Sequence, residues 1–416
     1  MANVSSSNGL EKRPKLRFPG FDEPWKETTL STLFSKSTQK NADGHITNVI
    51  CNSAKLGLIP QREYFDKDIA NSDNTSGYYI IRQNDFVYNP RKSSDAPYGP
   101  ISSYKYAEDG IVSPLYLCFH AKGEINPLYY EWYFRSSAWH RYIYMSGDSG
   151  ARHDRVSIKD DTFFAMPINL PSEQEQSKIA SFLQSLDERI AAQEKLVASL
   201  KKYKRGVFEA VFSQKLRLVP TELQKPWKQY KLSDFATRVT RKNGNQTDIP
   251  LTISAQYGLI DQRDFFSKMV ASTDMSGYYL LQKGEFAYNR STSNEYPFGS
   301  IKRLELYPMG AVSTLYLCFA IKEEVVNSDL AKWYFESSQW YKGINNICAE
   351  GARNHGLLNV PTDGFFNTVH TLPSDPNEQL AVVDYLSNIQ KKYEAAQRCL
   401  QAIENLRSGL LQQLFI

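Results

Sequence analysis

The sequence predicts an α+β protein in which two similar mixed α/β domains are joined by two long antiparallel coiled-coil helices, giving a pseudo-twofold dumbbell. Three observations lead to this fold class. The 416-residue chain repeats itself with a period of about 200 residues. Short apolar runs bounded by Gly, Pro, Asn and Ser fill most of each repeat, which is typical of strands. Each repeat then ends in a long stretch with apolar residues at coiled-coil spacing.

The repeat divides the chain, because matching segments recur in the same order. The sequence SGYY of residues 76–79 returns at 276–279, LYLCF of 115–119 at 315–319, and GAR of 150–152 at 351–353. Two units of one fold follow. We predict a flexible segment at 1–16, a first domain at 17–171, a central helix at 172–212, a second domain at 213–374 and a C-terminal helix at 375–416.

Within each domain the local patterns indicate strands followed by a helix. We expect strands at 77–81, 85–89 and 111–119 in the first domain, since apolar and aromatic runs there are bounded by turn residues. Residues 127–144 and 328–344 predict a helix each. The four tryptophans of these helices are spaced seven apart within each pair, which favours core packing, with base stacking the alternative. They are Trp132, Trp139, Trp333 and Trp340.

The long helices have clear start signals. Ser172 and Glu175 form a capping box, in which the hydroxyl accepts a backbone N–H and the carboxylate reaches back. Residues 375–378 repeat the signal with Pro376 at the first helical position. Apolar residues at alternating spacings of three and four then continue for about 60 Å, at about 1.5 Å per residue. Pairing within the chain is favoured over a homo-oligomer, because a linked partner has a high effective concentration.

Composition excludes several classes of protein but selects none. The chain has 49 Lys and Arg against 45 Asp and Glu, a net charge of +4 that is too small to indicate nucleic-acid binding. Mean hydropathy is −0.48 and the longest strongly apolar run is 111–119, too short for a membrane span, so we expect a soluble, cytoplasmic protein. Five widely spaced cysteines indicate reduced thiols and predict neither a disulfide framework nor a metal site.

Catalytic motifs are missing from the sequence. It contains neither a phosphate-binding loop of the Walker type nor a Gly-x-Gly-x-x-Gly fingerprint. Residues 95–98, Asp-Ala-Pro-Tyr, come close to the motif with which amino-methyltransferases hold a flipped base, but the second position is Ala. The six histidines are scattered and none recurs in both repeats, which argues against a duplicated His-based site. We therefore predict a protein without a catalytic residue.

A binding function is indicated by loops that mix aromatic, amide and basic groups in both repeats. Such side chains can bond base edges or phosphate, and an aromatic ring can meet a base or sugar. A Gly-Ala-Arg segment in each repeat adds a small-residue backbone and a guanidinium. The alternatives are a solvated loop and a buried structural Arg. The candidate residues are Tyr88, Asn89, Arg91, Lys92, Tyr98 and Arg152 in the first repeat, and Tyr288, Asn289, Arg290, Phe298, Lys302, Arg303 and Arg353 in the second.

A set of motifs resembles one known family, the DNA specificity subunit of type I restriction-modification systems. The set comprises Arg17-Phe18-Pro19-Gly20-Phe21 with Trp25, the Tyr-Asn pair, Ser-x-Leu-Tyr-Leu-Cys-Phe, Gly-Ala-Arg, and Leu-Pro-Ser before Glu-Gln at the helix start. The resemblance covers the chain from about residue 17 onward. It implies two target-recognition domains that each read one half of a bipartite, interrupted double-stranded DNA site, with the helices as spacer.

The resemblance also implies the partners. Two methyltransferase (modification) subunits, which bind AdoMet and methylate adenine, would dock on the helices. Restriction/translocase subunits would supply ATP- and Mg-dependent cleavage, so this chain itself would bind no cofactor. The repeat and the helices would equally suit a rival hypothesis, a paired-domain coiled-coil scaffold that binds proteins and never DNA. The loops shared by both repeats favour DNA.

Overall fold

A computed structural model describes residues 12–64, 75–147, 154–254, 257–265, 274–348 and 356–416. The chain divides into two compact units. Unit 1 consists of Met1–Gln193 and Cys399–Ile416, and unit 2 consists of Glu194–Arg398. Each long helix therefore contributes one part to each unit.

Unit 1 is built from short strands and short helices, followed by a long helix that continues into unit 2. Its strands are β1 (Lys26–Thr29), β2 (Phe34–Ser37), β3 (Ile50–Ser53), β4 (Gly57–Pro60), β5 (Tyr79–Ile81), β6 (Phe86–Tyr88), β7 (Ile101–Ser103), β8 (Gly110–Val112), β9 (Leu117–Ala121) and β10 (Pro167–Leu170). Its helices are α1 (Leu30–Leu33), α2 (Gln61–Tyr64), α3 (Pro127–Arg135), α4 (His140–Ser146), α5 (Asp160–Phe164) and the long α6 (Glu173–Phe212).

Unit 2 repeats this order of elements after a short 3-10 turn at Thr221–Leu223. Its strands are β11 (Lys228–Lys231), β12 (Ala236–Val239), β13 (Leu251–Ser254), β14 (Gly258–Asp261), β15 (Tyr279–Gln282), β16 (Phe286–Asn289), β17 (Ser300–Arg303), β18 (Met309–Val312), β19 (Leu317–Ile321) and β20 (Val369–Leu372). Its helices are α7 (Leu232–Phe235), α8 (Gln262–Phe265), α9 (Ser328–Phe335), α10 (Tyr341–Ile347), α11 (Thr362–Phe366) and the long α12 (Pro376–Leu414).

Sheet topology confirms the duplication. The main sheet of unit 1 has the antiparallel order β2-β9-β6-β7, and that of unit 2 has the corresponding order β12-β19-β16-β17. Smaller pairs also correspond, including β1 with β10 and β11 with β20. Aromatic rings fill the core behind each main sheet. Phe86 stacks on Phe119 at 5.6 Å between ring centroids, and Phe286 on Phe319 at 5.3 Å.

All four tryptophans of the predicted helices are buried, which confirms core packing. The prediction of one helix per segment was wrong, because each segment forms two helices. After α3 the hydroxyl of Ser136 donates to the carbonyl of Tyr133 at 2.6 Å, and its backbone is extended. The indole of Trp139 then donates to the carbonyl of Phe134 at 2.9 Å. Unit 2 has the same pair of bonds, from Ser337 to Tyr334 and from Trp340 to Phe335.

The strand predicted at 111–119 is also two strands, β8 and β9. A turn separates them, in which the backbone N–H of Tyr116 donates to the carbonyl of Ser113 at 3.0 Å. Leu115 lies in this turn with an exposed side chain, as does Leu315 in unit 2. A continuous apolar run therefore contains a turn, because Leu115 contributes to neither strand.

The start of α6 follows half of the predicted capping box. The backbone N–H of Glu175 donates to the hydroxyl of Ser172 at 3.3 Å, as expected. The carboxylate of Glu175 does not reach back, which corrects that part of the prediction. It instead accepts from Nε and Nη2 of Arg17 at 2.7 and 2.8 Å. In unit 2 the carboxylate of Glu378 accepts from Arg217 in the same way, at 2.6 and 2.9 Å.

Within each unit the two long helices run antiparallel, as predicted. In unit 1, Arg17 binds Glu175 near the start of α6 and Leu16 donates to the carbonyl of Gln413 near the end of α12, while farther along α6 Asp187 meets Arg407. In unit 2 the ring of Trp333 contacts Phe208 of α6, and its indole donates to Ser387 of α12 at 3.2 Å. Among the described residues, no helix has an apolar stretch long enough to span a bilayer.

Candidate nucleic-acid interface

The loop after the third strand of each main sheet carries most of the candidate residues. In unit 1 this β6–β7 loop comprises residues 89–100. Its tip is a tight turn, in which the backbone N–H groups of Ser93 and Gly99 both donate to the carbonyl of Ala96 at 3.0 Å. Gly99 has φ +83°, and a β-carbon there would lie 2.1 Å from the carbonyl oxygen of Asn89. The loop thus closes on its own first residue at a position only glycine tolerates.

The same construction recurs in the β16–β17 loop of unit 2, residues 290–299. The N–H groups of Ser293 and Gly299 donate to the carbonyl of Tyr296 at 3.1 Å. Gly299 has φ +78°, and a β-carbon there would lie 2.2 Å from the carbonyl oxygen of Asn289. Two loops of different sequence therefore share one backbone path.

Each loop is joined to the segment that follows Gly-Ala-Arg. In unit 1 the N–H of Lys92 donates to the carbonyl of Asp154, and the N–H of Val156 donates to the carbonyl of Pro90, both at 2.9 Å. In unit 2 Thr292 donates to Gly356 at 2.7 Å and Leu358 to Arg290 at 3.0 Å. In each unit the loop thus lies beside residues 154–156 or 356–358. Arg152 and Arg353 themselves lie outside the described residues.

The side chains of Tyr88 and Tyr288 hold the loops from below. Both are buried, and their hydroxyls donate to the carbonyls of Tyr98 at 2.9 Å and Phe298 at 2.8 Å. Their rings stack on those of two core phenylalanines with 5.1 Å between centroids. Burial raises the pKa of each tyrosine well above its usual range, so both stay neutral donors. These tyrosines therefore hold the loop in place from the core and do not form part of its exposed surface.

The aromatic residue before each loop glycine is half-buried and packs against a short helix, α4 in unit 1 and α10 in unit 2. The Tyr98 ring lies 4.8 Å from the ring of His140 in α4, and the Phe298 ring lies 5.2 Å from that of Tyr341 in α10. Burial lowers the pKa of His140, which favours a neutral ring beneath Tyr98. The loop and the helix are therefore packed together in both units.

The candidate asparagines shape the first turn of each loop. The side-chain oxygen of Asn89 accepts from the backbone N–H of Arg91 at 3.1 Å, and that of Asn289 from Ser291 at 3.0 Å. The amide of Asn89 also donates to the carbonyl of Asn52 at 3.3 Å. Asn52 in turn donates to the carbonyl of Val87 at 2.8 Å, so it ties the β3–β4 hairpin to the sheet beside the loop. Sequence reasoning missed Asn52, because unit 2 has no equivalent amide to mark it.

Basic side chains differ between the two units. Arg91 and Lys92 in unit 1 are exposed. Arg290 in unit 2 donates to the carbonyl of Leu315 at 3.0 Å. Lys302 is buried against the carboxylate of Glu336 at 2.5 Å, and Arg303 binds the carboxylates of Glu305 at 2.8 Å and Asp329 at 2.6 Å. The structure thus places Lys302 and Arg303 in ion pairs within unit 2, and the Lys302 ammonium also lies over the ring of Tyr296 in the loop, 5.5 Å from its centroid.

Known proteins resemble this chain in part of its sequence and in its fold. Residues 26–202 match the family model of the type I restriction modification DNA specificity domain. No curated protein matches the chain in sequence. One similar chain comes from a solved structure that concerns complex assembly and conformational transition of the type I R-M system. It is 14% identical, with a TM-score of 0.57. The match covers 94% of this chain and 97% of that one.

Two further solved structures are similar over nearly the full length. The HsdS subunit from Thermoanaerobacter tengcongensis is 15% identical, covering 98% of this chain and 99% of that one, with a TM-score of 0.50. The type I restriction-modification S subunit from M. genitalium is 14% identical, covering 97% and 99%, with a TM-score of 0.50. At such identities the likeness shows the fold.

The family match assigns residues 26–202 to the DNA specificity domains of type I restriction-modification systems. The chain as a whole has a fold like that of the solved S subunits of such systems. This confirms the resemblance seen in the motifs. The scaffold hypothesis is not favoured, because the matching family is one of DNA recognition.

Proposed function

We propose that unit 1 and unit 2 each read one half of a bipartite DNA site, and that the long helices set the distance between the half-sites. The observation that carries this proposal is the repeated loop: both units close it with a positive-φ glycine, hold it from below with a tyrosine, and bond it to the segment that follows Gly-Ala-Arg. A structure built twice in one chain suits a target that is itself two-part.

Base and phosphate contacts would come from the exposed parts of these loops. Arg91 and Lys92 are exposed and available to phosphate or guanine. Arg152 and Arg353, outside the described residues, are further candidates from the sequence. Asn89, Asn289 and Arg290 combine a local structural bond with a position at the loop, whereas Tyr98 and Phe298 are only partly exposed. Tyr88, Tyr288, Lys302 and Arg303 would act indirectly, by holding loop and sheet in place.

The helices offer a surface for partner subunits. Several large apolar side chains on α6 and α12 are exposed in the described structure, and apolar exposure of this kind marks protein contacts. A hollow of about 530 Å³ on α6 is lined by Ser199, Lys202, Tyr203, Gly206, Val207 and Ala210. We propose that two methyltransferase subunits dock on the helices and supply AdoMet, while restriction/translocase subunits supply ATP and Mg chemistry. The exposed apolar residues are Phe182, Leu196, Tyr203, Leu380, Tyr385 and Leu406.

Co-expression with the methyltransferase of the same system should produce N6-methyladenine within one interrupted site. Because residues 76–119 and 276–319 are closely similar, we expect two related half-sites in inverted orientation, differing where residues 90–96 and 102–109 diverge from their counterparts. Methylation-sensitive sequencing of plasmid DNA checks this, with the methyltransferase alone as control. Two unrelated half-sites would contradict the expected relation, and the absence of any split site would contradict the proposed function.

Alanine at Arg152 or Arg353 should weaken DNA binding by the assembled complex and leave subunit assembly intact. The reason is that the complex would lose the bond proposed between this guanidinium and phosphate or base, at a cost of about 1–3 kcal/mol. Binding titrations and size-exclusion chromatography measure the two quantities. If assembly or folding fails instead, the arginines are structural.

A further inference from the structure

The short helix α4 of unit 1 has a face that no element of the described residues covers. Ile143 is buried on one side of the helix. On the other side Tyr144 and Met145 are 71% and 72% exposed, and Arg141 is exposed next to them. Two large apolar side chains and a cation therefore project together into solvent, a combination that is costly for solubility and suited to a bound partner.

This face is continuous with the β6–β7 loop at both ends of the helix. At its start, the ring of His140 lies under Tyr98 of the loop. At its end, a β-carbon on Gly147 would lie 3.4 Å from the carbonyl oxygen of Ser157 and 3.8 Å from Val156. Val156 is the residue whose N–H donates to the loop carbonyl of Pro90. The helix, the loop and residues 154–157 thus make one surface.

Helix α10 of unit 2 presents the same face with other side chains. Ile344 is buried, while Lys342, Asn345 and Asn346 are exposed. Phe298 of the β16–β17 loop lies on Tyr341 at its start. Between the two repeats the core residue stays Ile and the cation stays a cation, but the adjacent pair changes from Tyr-Met to Asn-Asn. Because the surrounding residues are kept and this pair changes, the pair is a place where the two units can differ in the DNA sequence that they bind.

We propose that the exposed faces of α4 and α10 contact duplex DNA and help to choose its sequence, an inference that rests on the proposed function. Arg141 and Lys342 have the same charge and would bind phosphate, setting the position of the helix. Asn345 and Asn346 can bond adenine at two atoms, whereas Tyr144 and Met145 offer apolar contact to the thymine methyl group. The half-sites would then differ at the bases that these pairs meet.

The test exchanges the pairs within the full chain, co-expressed with its methyltransferase and given a plasmid library with randomised half-sites. The variant Tyr144→Asn with Met145→Asn gives unit 1 the side chains of unit 2. We expect the base preference of one half-site to change about tenfold at one or two positions, with the other half-site unaltered. The reciprocal variant, Asn345→Tyr with Asn346→Met, should alter only the other half-site.

Two controls accompany the exchange. Leu223→Asn replaces a similarly exposed apolar side chain, 64% exposed in the 3-10 turn at Thr221–Leu223 and outside the proposed DNA surface, and should leave both preferences unchanged. Arg141→Ala should weaken methylation of every library sequence by a similar factor, since a phosphate contact reads no base. Unchanged preferences within twofold in both exchange variants would overturn the inference, as would failure of both to assemble. If the wild-type complex methylates no split site, the proposed function falls, and this inference with it.

Discussion

Arg217→Ala is expected to lower the free energy of unfolding of unit 2 by about 3–5 kcal/mol. The guanidinium of Arg217 supplies two bonds to the carboxylate of Glu378, whose side chain is only 3% exposed, and a third to the carbonyl of Lys225 at 2.8 Å. Without it, a buried carboxylate at the start of α12 has no cation. Breaking a buried pair by removing one partner is much more costly than never having formed it.

The measurement is hydrogen exchange of the full chain followed by mass spectrometry across a denaturant series, since it resolves unit 2 from unit 1. Peptides from unit 2 should lose protection at lower denaturant, and those from residues 26–147 should not change. Lys225→Ala is the matched control, because the Lys225 side chain is 66% exposed in its pair with Asp375 and a solvated ammonium contributes little. The double variant Arg217→Met with Glu378→Leu should recover most of the loss. Equal losses of protection in Arg217→Ala and Lys225→Ala would show that the buried pair does not stabilise unit 2 more than an exposed lysine does.

The ion pairs of Arg17 with Glu175 and of Arg217 with Glu378 could not be predicted from the sequence. Their partners lie 158 and 161 residues away in the chain, whereas capping signals and apolar periodicities act over a few turns. The sequence predicted where α6 and α12 begin from local patterns, and it assigned the carboxylate of Glu175 to a local bond. In the fold this carboxylate instead binds Arg17, which is distant in the chain. A bidentate charge-assisted pair is stronger than a single bond to a backbone N–H.

The candidate site was predicted at the level of its loops and less well at the level of its side chains. The Tyr-Asn pair and the glycine located the β6–β7 loop, since turn residues after a strand are a local signal. All three residues of β6 are buried, however, so alternation along that strand carries no information about which face Tyr88 occupies. Lys302 was assigned to the binding set as a cation near the loop, but Glu336, the residue that follows α9, pairs with it inside the unit. Such pairings depend on which elements pack together, and sequence spacing does not show that.

Gly99→Ala is expected to reduce DNA binding by the assembled complex on the order of ten- to a hundredfold, through misplacement of the β6–β7 loop. A non-glycine residue at φ +83° is strained by about 1–2 kcal/mol. The larger effect is the contact of 2.1 Å between the new β-carbon and the carbonyl oxygen of Asn89, which forces the first residues of the loop to move. Arg91 and Lys92 follow directly, so the groups proposed to meet DNA would shift while the core stays intact.

Gly123→Ala and Gly277→Ala are the matched controls, because neither glycine has a positive φ and a β-carbon at either would meet no atom within 4 Å. Both should bind and methylate as the unaltered complex does. Gly299→Ala should act on unit 2 as Gly99→Ala acts on unit 1, since its β-carbon would lie 2.2 Å from the carbonyl oxygen of Asn289. Binding is measured on duplexes in which one half-site at a time is scrambled. If the β6–β7 and β16–β17 loops are the readers, scrambling one half-site should weaken the unaltered complex but not the variant whose own loop reads that half. A Gly99→Ala complex that still discriminates both half-sites at full strength would show that this loop does not read DNA.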